Sequence, residues 1–453
     1  MFRPTHSLQS WLLRLALLLV ILPTLGANAL ADGRKTVVIV GGGYGGVETA
    51  TRLAKDPSVR VVLLDKAKAH TEVTRLHQSA AHNSSVQHSL ADIAAAKGFE
   101  FRNAEVTGIK LGAKKVQTTA GAIRYDSVVV AVGGVTSWPA VPGLKQHGIG
   151  IRTPWEAKKI RTTIHENLAK AGETSNTAER QRLGRIVIAG AGSTGVEMAA
   201  ELAQAIPALA KQHGLSPKDI SVHLVQRGSE ILSKAGDLKP RDRALIQQKL
   251  QAMGVIVHTN TELKKLTADS MSLKGSSKGS SGKTRAMKVS TVVWAGGVKA
   301  SPAAEAWGLP IGKQGRILVD GSMRIQGSDS AYAIGDAAAA INPKSGGMAA
   351  MTAQEAKVQA KVAAKNVVSG FHGKKLTIYK PKSSGTLVSL GNKDAVGRVL
   401  GIRVRGRFAA VMKKGIEFKH KSSLRRSPLA RVKAKARAKA KVAAPKARAI
   451  RVR

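Results

Sequence analysis

Two short stretches of the sequence set a carboxylate beside a glycine loop. "RIVIAGAGSTGVEMAAEL" (185–202) places Glu197 two residues past the loop, and "TVVIVGGGYGGVETATRL" (36–53) places Glu48 in the matching position. A glycine loop between a strand and a helix holds nucleotide phosphates with backbone N–H groups and the positive end of the helix dipole. An acid there either does chemistry on the bound group or only begins a helix, where the dipole stabilises it by about 0.3–1 kcal/mol.

Both loops space their glycines as G-x-G-x-x-G after an apolar strand. The first glycine of this pattern permits a tight turn, the second lets the backbone approach a pyrophosphate, and the third allows helix and strand to pack closely. The glycines in these positions are Gly41, Gly43 and Gly46 in the first loop and Gly190, Gly192 and Gly195 in the second. Each loop continues into a helix and a second strand, which predicts two nucleotide-binding βαβ units.

The second strand of each unit ends in a residue that could contact a ribose. Asp65 ends "VRVVLLD", and its carboxylate would accept hydrogen bonds from ribose hydroxyls. In the second unit the matching strand ends in Gln226, followed by Arg227. The missing carboxylate removes repulsion against a 2′-phosphate, and Arg227 is either a contact for such a phosphate or a solvated loop charge. NADH is therefore the predicted nucleotide, with NADPH left open.

Three further strands end in glycine turns: "YDSVVVAVGG" (125–134), "STVVWAGG" (290–297) and "AYAIGDAAAA" (331–340). The first two are typical of strands that close a nucleotide-binding domain and lead the chain out of it. The residues of these turns predicted to bind cofactor are Gly133, Gly296, Gly335 and Asp336.

A long helical pattern, "MTAQEAKVQAKVAAKNVV" (351–368), follows the last of these turns. The short apolar runs "LTIYK" (376–380) and "GTLVSLG" (385–391) are predicted strands. The Gly/Ser/Lys-rich stretch "SLKGSSKGSSGKTR" (272–285) is predicted to be a flexible loop.

The composition favours an α/β enzyme of two or three domains. The 453 residues are 43% hydrophobic, which is enough to bury a sizeable core. The sequence contains no cysteine, so disulfides, thiolate metal sites and redox-active thiol pairs are excluded. No metal site is predicted.

The chain is strongly basic, with a formal net charge of +45. Residues 402–453 carry nineteen lysines and arginines against one acid, Glu417. Within this segment, Phe408, Val411 and Ile416 recur at helical spacing among lysines, which predicts a basic amphipathic helix. The charge predicts an anionic membrane surface or nucleic acid as partner, unless it serves solubility alone. Because aromatic residues are not interleaved with the charges from Arg431 onward, nucleic-acid binding would be non-specific.

The first 33 residues contain Arg3 and Arg14, an apolar run from Leu15 to Leu22, and small residues ending at Ala31. This pattern predicts a signal peptide or an uncleaved N-terminal anchor. It leaves open which side of the membrane the protein faces.

The two loops, the glycine-terminated strands and the late "AIGD" together resemble the flavoproteins with two dinucleotide-binding domains and a glutathione-reductase-like fold. The resemblance implies two Rossmann-like domains, with FAD on the first loop, NAD(P)H on the second and Asp336 at the FAD ribityl or phosphate region. The predicted divisions are 1–33 as leader, 34–150 and 291–370 as the FAD-binding domain, 151–290 as the NAD(P)H-binding domain, 371–420 as a quinone- and membrane-side segment, and 421–453 as a disordered polybasic tail.

Within that superfamily the lack of cysteine excludes disulfide reductases, peroxide-reducing members and sulfide:quinone reductases, which all need thiols. Blocks such as "GAGSTGVEMAAEL", "VVWAGGVKASP" and "GTLVSLGNKDAVG" resemble the type II, non-proton-pumping NADH:quinone dehydrogenases. The resemblance implies that NADH reduces FAD and that FAD reduces a membrane quinone. It also implies that Glu197 lies where nicotinamide meets flavin and that Gln354 contacts quinone. Because the first loop would face FAD phosphates, Glu48 is either part of the scaffold of the FAD half or a contact on the ribose side.

The chain departs from the type II pattern at its quinone-side helix. That pattern usually shows A-Q-x-A-x-Q, whereas this chain has "AQEAKV" (353–358), with Gln359 one residue late. His70 and His77 align with a flavin-side segment but are left out of catalysis.

The sequence leaves two other functions open. One is an NAD(P)H oxidoreductase like apoptosis-inducing factor, and the other is a flavoprotein that binds nucleic acid or an anionic surface through its tail. The predicted location is peripheral, on an inner or cytoplasmic membrane, and a homodimer is compatible with the sequence.

Overall fold

The computed structural model describes residues 33–275, 282, 284–343 and 345–425. The predicted leader, apart from Gly33, and the predicted polybasic tail from residue 426 onward lie outside the described residues.

Helices of the described chain are, in order, α1 (Tyr44–Leu53), α2 (Leu76–His82), α3 (Leu90–Lys97), α4 (Leu144–His147), α5 (Pro154–Glu173), α6 (Thr177–Leu183), α7 (Ser193–Gln212), α8 (Pro240–Ala252), α9 (Ala303–Ala306), α10 (Ala353–Phe371) and α11 (Gly406–Leu424). Single 3₁₀ turns lie at Val73–Arg75, Pro217–Asp219, Lys313–Gly315 and Gly335–Ala337.

Strands β1 to β11 are Lys35–Val40, Val59–Asp65, Ala69–Thr71, Gln87–Ser89, Glu100–Asn103, Val106–Lys110, Lys115–Thr118, Gly121–Arg124, Ser127–Val130, Gly134–Thr136 and Ile149–Gly150. Strands β12 to β23 are Arg185–Ala189, Ser221–Val225, Ile256–His258, Thr261–Leu266, Ser270–Gly275, Thr284–Lys288, Thr291–Trp294, Val298–Ala300, Ala331–Ala333, Gly385–Ser389, Ala395–Val399 and Ile402–Arg405.

The first glycine loop belongs to a five-stranded parallel sheet of order β20-β9-β1-β2-β5. Its central strands are runs of Val, Ile and Leu because helices and loops cover both faces of a parallel sheet. Val37, Val38 and Ile39 of β1 are fully buried. The first loop leaves β1 and enters α1, which packs against α10.

The second loop belongs to another five-stranded parallel sheet, of order β11-β18-β12-β13-β14. It lies between β12 and α7 and therefore repeats the arrangement of the first loop. These two sheets confirm the predicted α/β class with two Rossmann-like units. The strands in "VVVAVGG" and "TVVWAGG" are β9 and β18, one in each sheet.

Two local predictions differ from the structure. The ends of the stretch 272–285 are not a loop, because β16 and β17 pair in register from Ser270 opposite Lys288 to Lys274 opposite Thr284. Residues 276–281 and 283 lie outside the described part of the chain. Met271 and Leu273 are buried, and this two-residue alternation outweighs the Gly/Ser/Lys-rich composition.

"LTIYK" (376–380) forms no strand. Its backbone is held by a side chain instead of a strand, since the Asn366 amide donates to the Thr377 carbonyl and its Oδ1 accepts the Thr377 N–H, each at 2.8 Å. The adjacent prediction is right, because "GTLVS" is β21.

The C-terminal part consists of the antiparallel sheet β21-β22-β23 and α11, which packs on that sheet. One face of α11 points inward and carries Ala409, Ala410, Lys413, Glu417, His420 and Leu424, all buried or half-buried. The opposite face exposes Phe408, Val411, Ile416 and Phe418. No helix within the described residues is long and apolar enough to span a bilayer.

Candidate active site

The turn glycines of both loops occupy positions that other residues cannot fill. Gly41 has φ +110° and Gly190 φ +115°, backbone conformations that L side chains rarely adopt. A Cβ on Gly46 would lie 1.8 Å from the Gly41 carbonyl oxygen, and one on Gly195 would lie 1.9 Å from that of Gly190. Both helices therefore begin tightly against the strand that precedes them.

The middle glycines face open space. A Cβ added to Gly43 or Gly192 would meet nothing within 4 Å. These residues are the N-caps of α1 and α7, and neither helix has a side-chain cap on its N–H groups. The open side and the free N–H donors fit a pyrophosphate at each loop.

Asp65 lies at the end of β2, beside the first loop. Its Oδ2 accepts the Gly42 N–H at 2.5 Å, and its Oδ1 accepts the Ala67 N–H at 2.7 Å. Burial raises the pKa of this carboxyl. A cavity of about 160 Å³ beside it, lined also by Gly41, Glu105 and Trp307, has the position expected for the adenosine part of a dinucleotide.

In the second unit, Gln226 directly follows β13, and its side chain bonds the backbone on both sides of the site. Its Oε1 accepts the Ala191 N–H at 3.3 Å, and its Nε2 donates to the Glu230 carbonyl at 3.2 Å. Arg227 is exposed. A Cβ on Gly296 would lie 2.3 Å from the indole ring of Trp294, so a side chain at this position would clash with the ring.

The predicted turn residues Gly133, Gly335 and Asp336 lie between the carboxyl ends of the first sheet and α10. Gly133 has φ +68° and Gly335 φ +70°. Asp336 is buried and forms an ion pair with Arg152, whose Nε donates to the Gly134 carbonyl at 3.2 Å. This cradle of glycine turns and one buried carboxylate fits a polar chain of hydroxyls such as the ribityl group.

Gln359, which the sequence places one residue late, has a structural partner. Its Oε1 accepts the Gly335 N–H at 2.7 Å, and the residue is buried. It therefore fixes the Gly335 turn. Gln354 is partly exposed at the start of α10, and its Nε2 donates to the Lys382 carbonyl at 2.9 Å.

Glu197 lies in the first turns of α7 and is 6% exposed. Its Oε1 accepts hydrogen bonds from the Ser389 N–H at 3.0 Å and the Ser389 hydroxyl at 3.1 Å. Lys413 of α11 forms an ion pair with the same oxygen, and His77 Nδ1 lies 3.8 Å from Oε2. Three separate parts of the chain thus converge on this acid.

The charge state of this group follows from its partners. Burial raises the pKa of Glu197, but Lys413, His77 and the Ser389 donors outweigh burial and hold the pKa below its ordinary value. Burial lowers the pKa of His77. At neutral pH Glu197 is therefore a buried carboxylate, held by Lys413 and the Ser389 donors.

Glu48 occupies a different environment although its place after the first loop is the same. It forms an i,i+4 ion pair with Arg52 at 2.7 Å on the surface of α1. Such pairs contribute about 0.3–0.5 kcal/mol.

The sequence reasoning missed Lys413 and Ser389. These two residues share no motif and no element, because Ser389 lies in β21 and Lys413 lies in α11. A helical-wheel reading that asked which basic residue faces inward on α11 was the one signal that could have singled out Lys413.

Comparisons with known proteins agree with the fold described above. The family described as pyridine nucleotide-disulphide oxidoreductase matches residues 35–360. The type II NADH:quinone oxidoreductase of Staphylococcus saprophyticus is 30% identical over 394 residues, which cover 86% of this chain and 95% of that protein. The chain belongs to this family. The disulphide chemistry in the broader family's description has no counterpart here, because the sequence contains no cysteine.

Solved structures share the fold. The structure of NDH2 from Plasmodium falciparum in complex with NADH has a TM-score of 0.75 at 18% identity and covers 85% of this chain and 94% of that one. A sulfide:quinone oxidoreductase from Aquifex aeolicus has a TM-score of 0.72 at 18% identity, with 86% of this chain and 91% of that one covered. Membership of the type II family does not favour the two alternative functions that the sequence left open.

Proposed function

We propose that this type II enzyme passes a hydride from NADH to FAD and two electrons from FAD to a membrane quinone, without pumping protons. FAD and NADH are its cofactors, and the enzyme is an NADH:quinone oxidoreductase. The supporting observation is that two loops shaped for pyrophosphates stand in one chain with a buried carboxylate, Glu197, beside the second loop.

The protein's own task is to bind and orient the two cofactors. The first loop, Asp65 and the Gly335–Asp336 turn would hold FAD, which supplies hydride acceptance when bound. The second loop, with Gln226 and Gly296, would hold NADH. Because no carboxylate ends β13 and Arg227 is exposed, NADPH stays open as a second donor.

Glu197 is proposed to control proton movement at the junction of the rings. Ser389 and Lys413, which both contact Glu197, line a cavity of about 520 Å³ together with Glu201 and Glu417. His82 Nε2 lies 2.8 Å from Glu201 Oε2, and the His82 side chain is 39% exposed. These polar groups could pass protons between solvent and the surroundings of Glu197. Gln354 is the proposed quinone contact on α10.

Steady-state kinetics of the FAD-loaded full chain test the assignment. We expect oxidation of NADH to depend on added ubiquinone-1, with kcat/KM for NADH above that for NADPH. The absence of quinone-dependent NADH oxidation would contradict the proposed function. A higher kcat/KM for NADPH would contradict only the assignment of NADH as the electron donor.

Residues 402–453 are proposed to hold the enzyme on an anionic membrane as a peripheral protein. Phe408 is 67% exposed and Phe418 71% exposed, and both lie on the outer face of α11. Leu400 and Ile402, at the neighbouring β22–β23 turn, are 75% and 69% exposed. Apolar side chains with lysines beside them favour the interface of an anionic bilayer.

Replacement of two of these side chains gives the matching prediction. Phe408→Asp combined with Phe418→Asp should lower the partition coefficient onto vesicles of phosphatidylglycerol and phosphatidylcholine by more than tenfold, as measured by sedimentation. Each phenyl group that enters the bilayer interface contributes about 1.5–3 kcal/mol. The control is Trp155→Asp, which makes the same aromatic-to-acid change at a 66% exposed side chain of α5, outside residues 402–453. Unaltered vesicle binding by the double variant would contradict the membrane role of α11.

Two other partners stay proposals. Salt-sensitive, non-specific DNA binding by the basic C-terminal segment is tested by a salt series on the chain with and without residues 426–453. A homodimer is tested by sedimentation equilibrium.

A further inference from the structure

Four polar side chains form a compact group where the first glycine loop meets α10 and α11. We call Tyr44, His70, Lys357 and His420 the Tyr44 cluster. The His420 ring stacks on Tyr44 with centroids 4.7 Å apart, and the His70 ring meets Tyr44 edge-on at 5.1 Å. Lys357 Nζ lies 5.1 Å from the centroid of the Tyr44 ring. The proposed mechanism assigns none of these residues a task.

The cluster determines which nitrogen of His420 carries the proton. Lys357 Nζ lies 3.0 Å from His420 Nδ1, and a lysine ammonium can only donate. His420 Nδ1 is therefore the acceptor, and the proton of the neutral ring is on Nε2. Burial and the Lys357 charge lower the pKa of His420 to about 3, so the ring is neutral at physiological pH.

The remaining donor is the Nε2–H group of His420. His420 Nε2 is buried and has no hydrogen-bond partner among the residues that the structure describes. A buried N–H without an acceptor costs free energy, and native proteins rarely keep one without a reason. The geometry thus leaves one fixed, neutral N–H donor for a ligand acceptor.

The charged groups around the cluster support this state. Glu48 and Glu72 act on Lys357 and oppose the lowering of its pKa by burial. Glu72 is itself held by His88 and by Arg75 Nη1 at 3.1 Å, while Glu417 lies 3.5 Å from Arg75 Nε. Glu48 and Glu72 thus favour the ammonium form of Lys357 against burial, although Glu48 also pairs with Arg52 and Glu72 with Arg75.

The cluster also lies beside the residues proposed to hold FAD. Tyr44 directly follows Gly43, and a Cβ on Gly335 would lie 3.3 Å from the Cβ of Ala356, the neighbour of Lys357. Gln354, the proposed quinone contact, stands three residues before Lys357 and so on the same face of α10. A flat acceptor that reaches FAD past Gln354 would come next to the cluster.

We propose that His420 Nε2–H donates a hydrogen bond to a carbonyl oxygen of the quinone, and that Lys357 is the positioning residue that fixes the donor tautomer. The proposal rests on quinone being the electron acceptor. A quinone carbonyl is an acceptor without a donor, and His420 offers the complementary group. Val358, at the place of the type II pattern's second glutamine, cannot supply such a donor.

Equilibrium binding of ubiquinone-1 to the oxidised, FAD-loaded full chain tests this role. His420→Phe keeps an aromatic ring against Tyr44 but removes the N–H, and it should raise the Kd by about tenfold. His420→Gln keeps an amide N–H near the same place and should stay within about threefold of the natural protein. Equal affinities for the Phe variant and the natural protein would overturn the proposal. An equal loss in both variants would also overturn it, because the ring alone would then matter.

Histidine-selective ¹⁵N labelling tests the tautomer without turnover. We expect His420 to be protonated on Nε2, to respond to ubiquinone-1 at that nitrogen, and to lose the single tautomer in Lys357→Met. A ring protonated on Nδ1 would overturn the proposal. Reoxidation of the NADH-reduced flavin by ubiquinone-1 separates the two failures. If ubiquinone-1 reoxidises the flavin but His420 is indifferent to ubiquinone-1, only this inference fails.

Discussion

Glu197→Gln is expected to lower kcat for NADH:ubiquinone-1 turnover by about 100-fold, within the range found for groups that handle protons in catalysis. The amide keeps the size of the side chain, and its oxygen can still accept from Ser389. It cannot carry the negative charge that Lys413 balances, and it cannot exchange a proton. Stopped-flow measurement of flavin reduction by NADH and of flavin reoxidation by ubiquinone-1 shows which half-reaction is slowed.

The repeated "GVE" supplies a matched control for this variant. Glu48→Gln removes a carboxylate from the same place after the first loop, but from an exposed i,i+4 pair with Arg52. Its effect on turnover should be under twofold and its effect on unfolding free energy within about 0.5 kcal/mol. If both half-reactions of the Glu197→Gln enzyme proceed at the natural rates, Glu197 has no functional role.

Lys413→Met is expected to destabilise the folded enzyme by about 3–5 kcal/mol at pH 7, because it leaves a buried carboxylate without its cation. Lys414→Met is the control, since the adjacent Lys414 is exposed and its Nζ donates to Asn392 Oδ1 at 2.6 Å. Urea unfolding of the FAD-loaded chain measures both. Equal stability of the two variants would contradict the account of this ion pair.

The pH dependence of the Lys413→Met variant has a defined sign. In the natural protein the pKa of Glu197 is lowered, so its contribution to stability is present above the unfolded pKa and lost as pH falls through the folded pKa. Without Lys413, burial dominates and raises the folded pKa, so the carboxyl takes up a proton on folding. The stability gap between the natural protein and the variant should therefore shrink as the pH is lowered from 8 to 5.

In Glu197→Gln combined with Lys413→Met, the loss of unfolding free energy should be smaller than the sum of the losses in the two single variants.

The parts of the site that were predictable from sequence are those fixed by local spacing. Gly41 and Gly190 have the left-handed backbone that the pattern requires, and Asp65 ends β2 beside its loop. The central strands of both parallel sheets were predictable as apolar runs, because these sheets are buried on two faces.

Long-range contacts were beyond this reasoning. Glu197 and Lys413 are 216 residues apart, and their pairing depends on how α11 docks against α7 and β21. The sequence shows only that Gln359 lies one residue late against the type II pattern, whereas the structure shows that its side chain accepts the Gly335 N–H. A motif shows that a residue type is present, whereas only the packed structure shows which polar groups already have partners.

The C-terminal helix joins these features. Its inner face carries Lys413 to Glu197 and His420 to Tyr44, and its outer face exposes Phe408 and Phe418. One helix therefore contacts both nucleotide-binding halves while presenting an apolar surface to the outside. Amphipathic spacing predicted that surface but not the polar inner face.

Anaerobic stopped-flow spectrophotometry of the FAD-loaded full chain tests the central claim most directly. NADH should bleach the oxidised flavin band in a single turnover, and ubiquinone-1 mixed in afterwards should restore the band with one quinone reduced per flavin. The claim is contradicted if NADH leaves the flavin oxidised, or if the reduced flavin does not respond to ubiquinone-1.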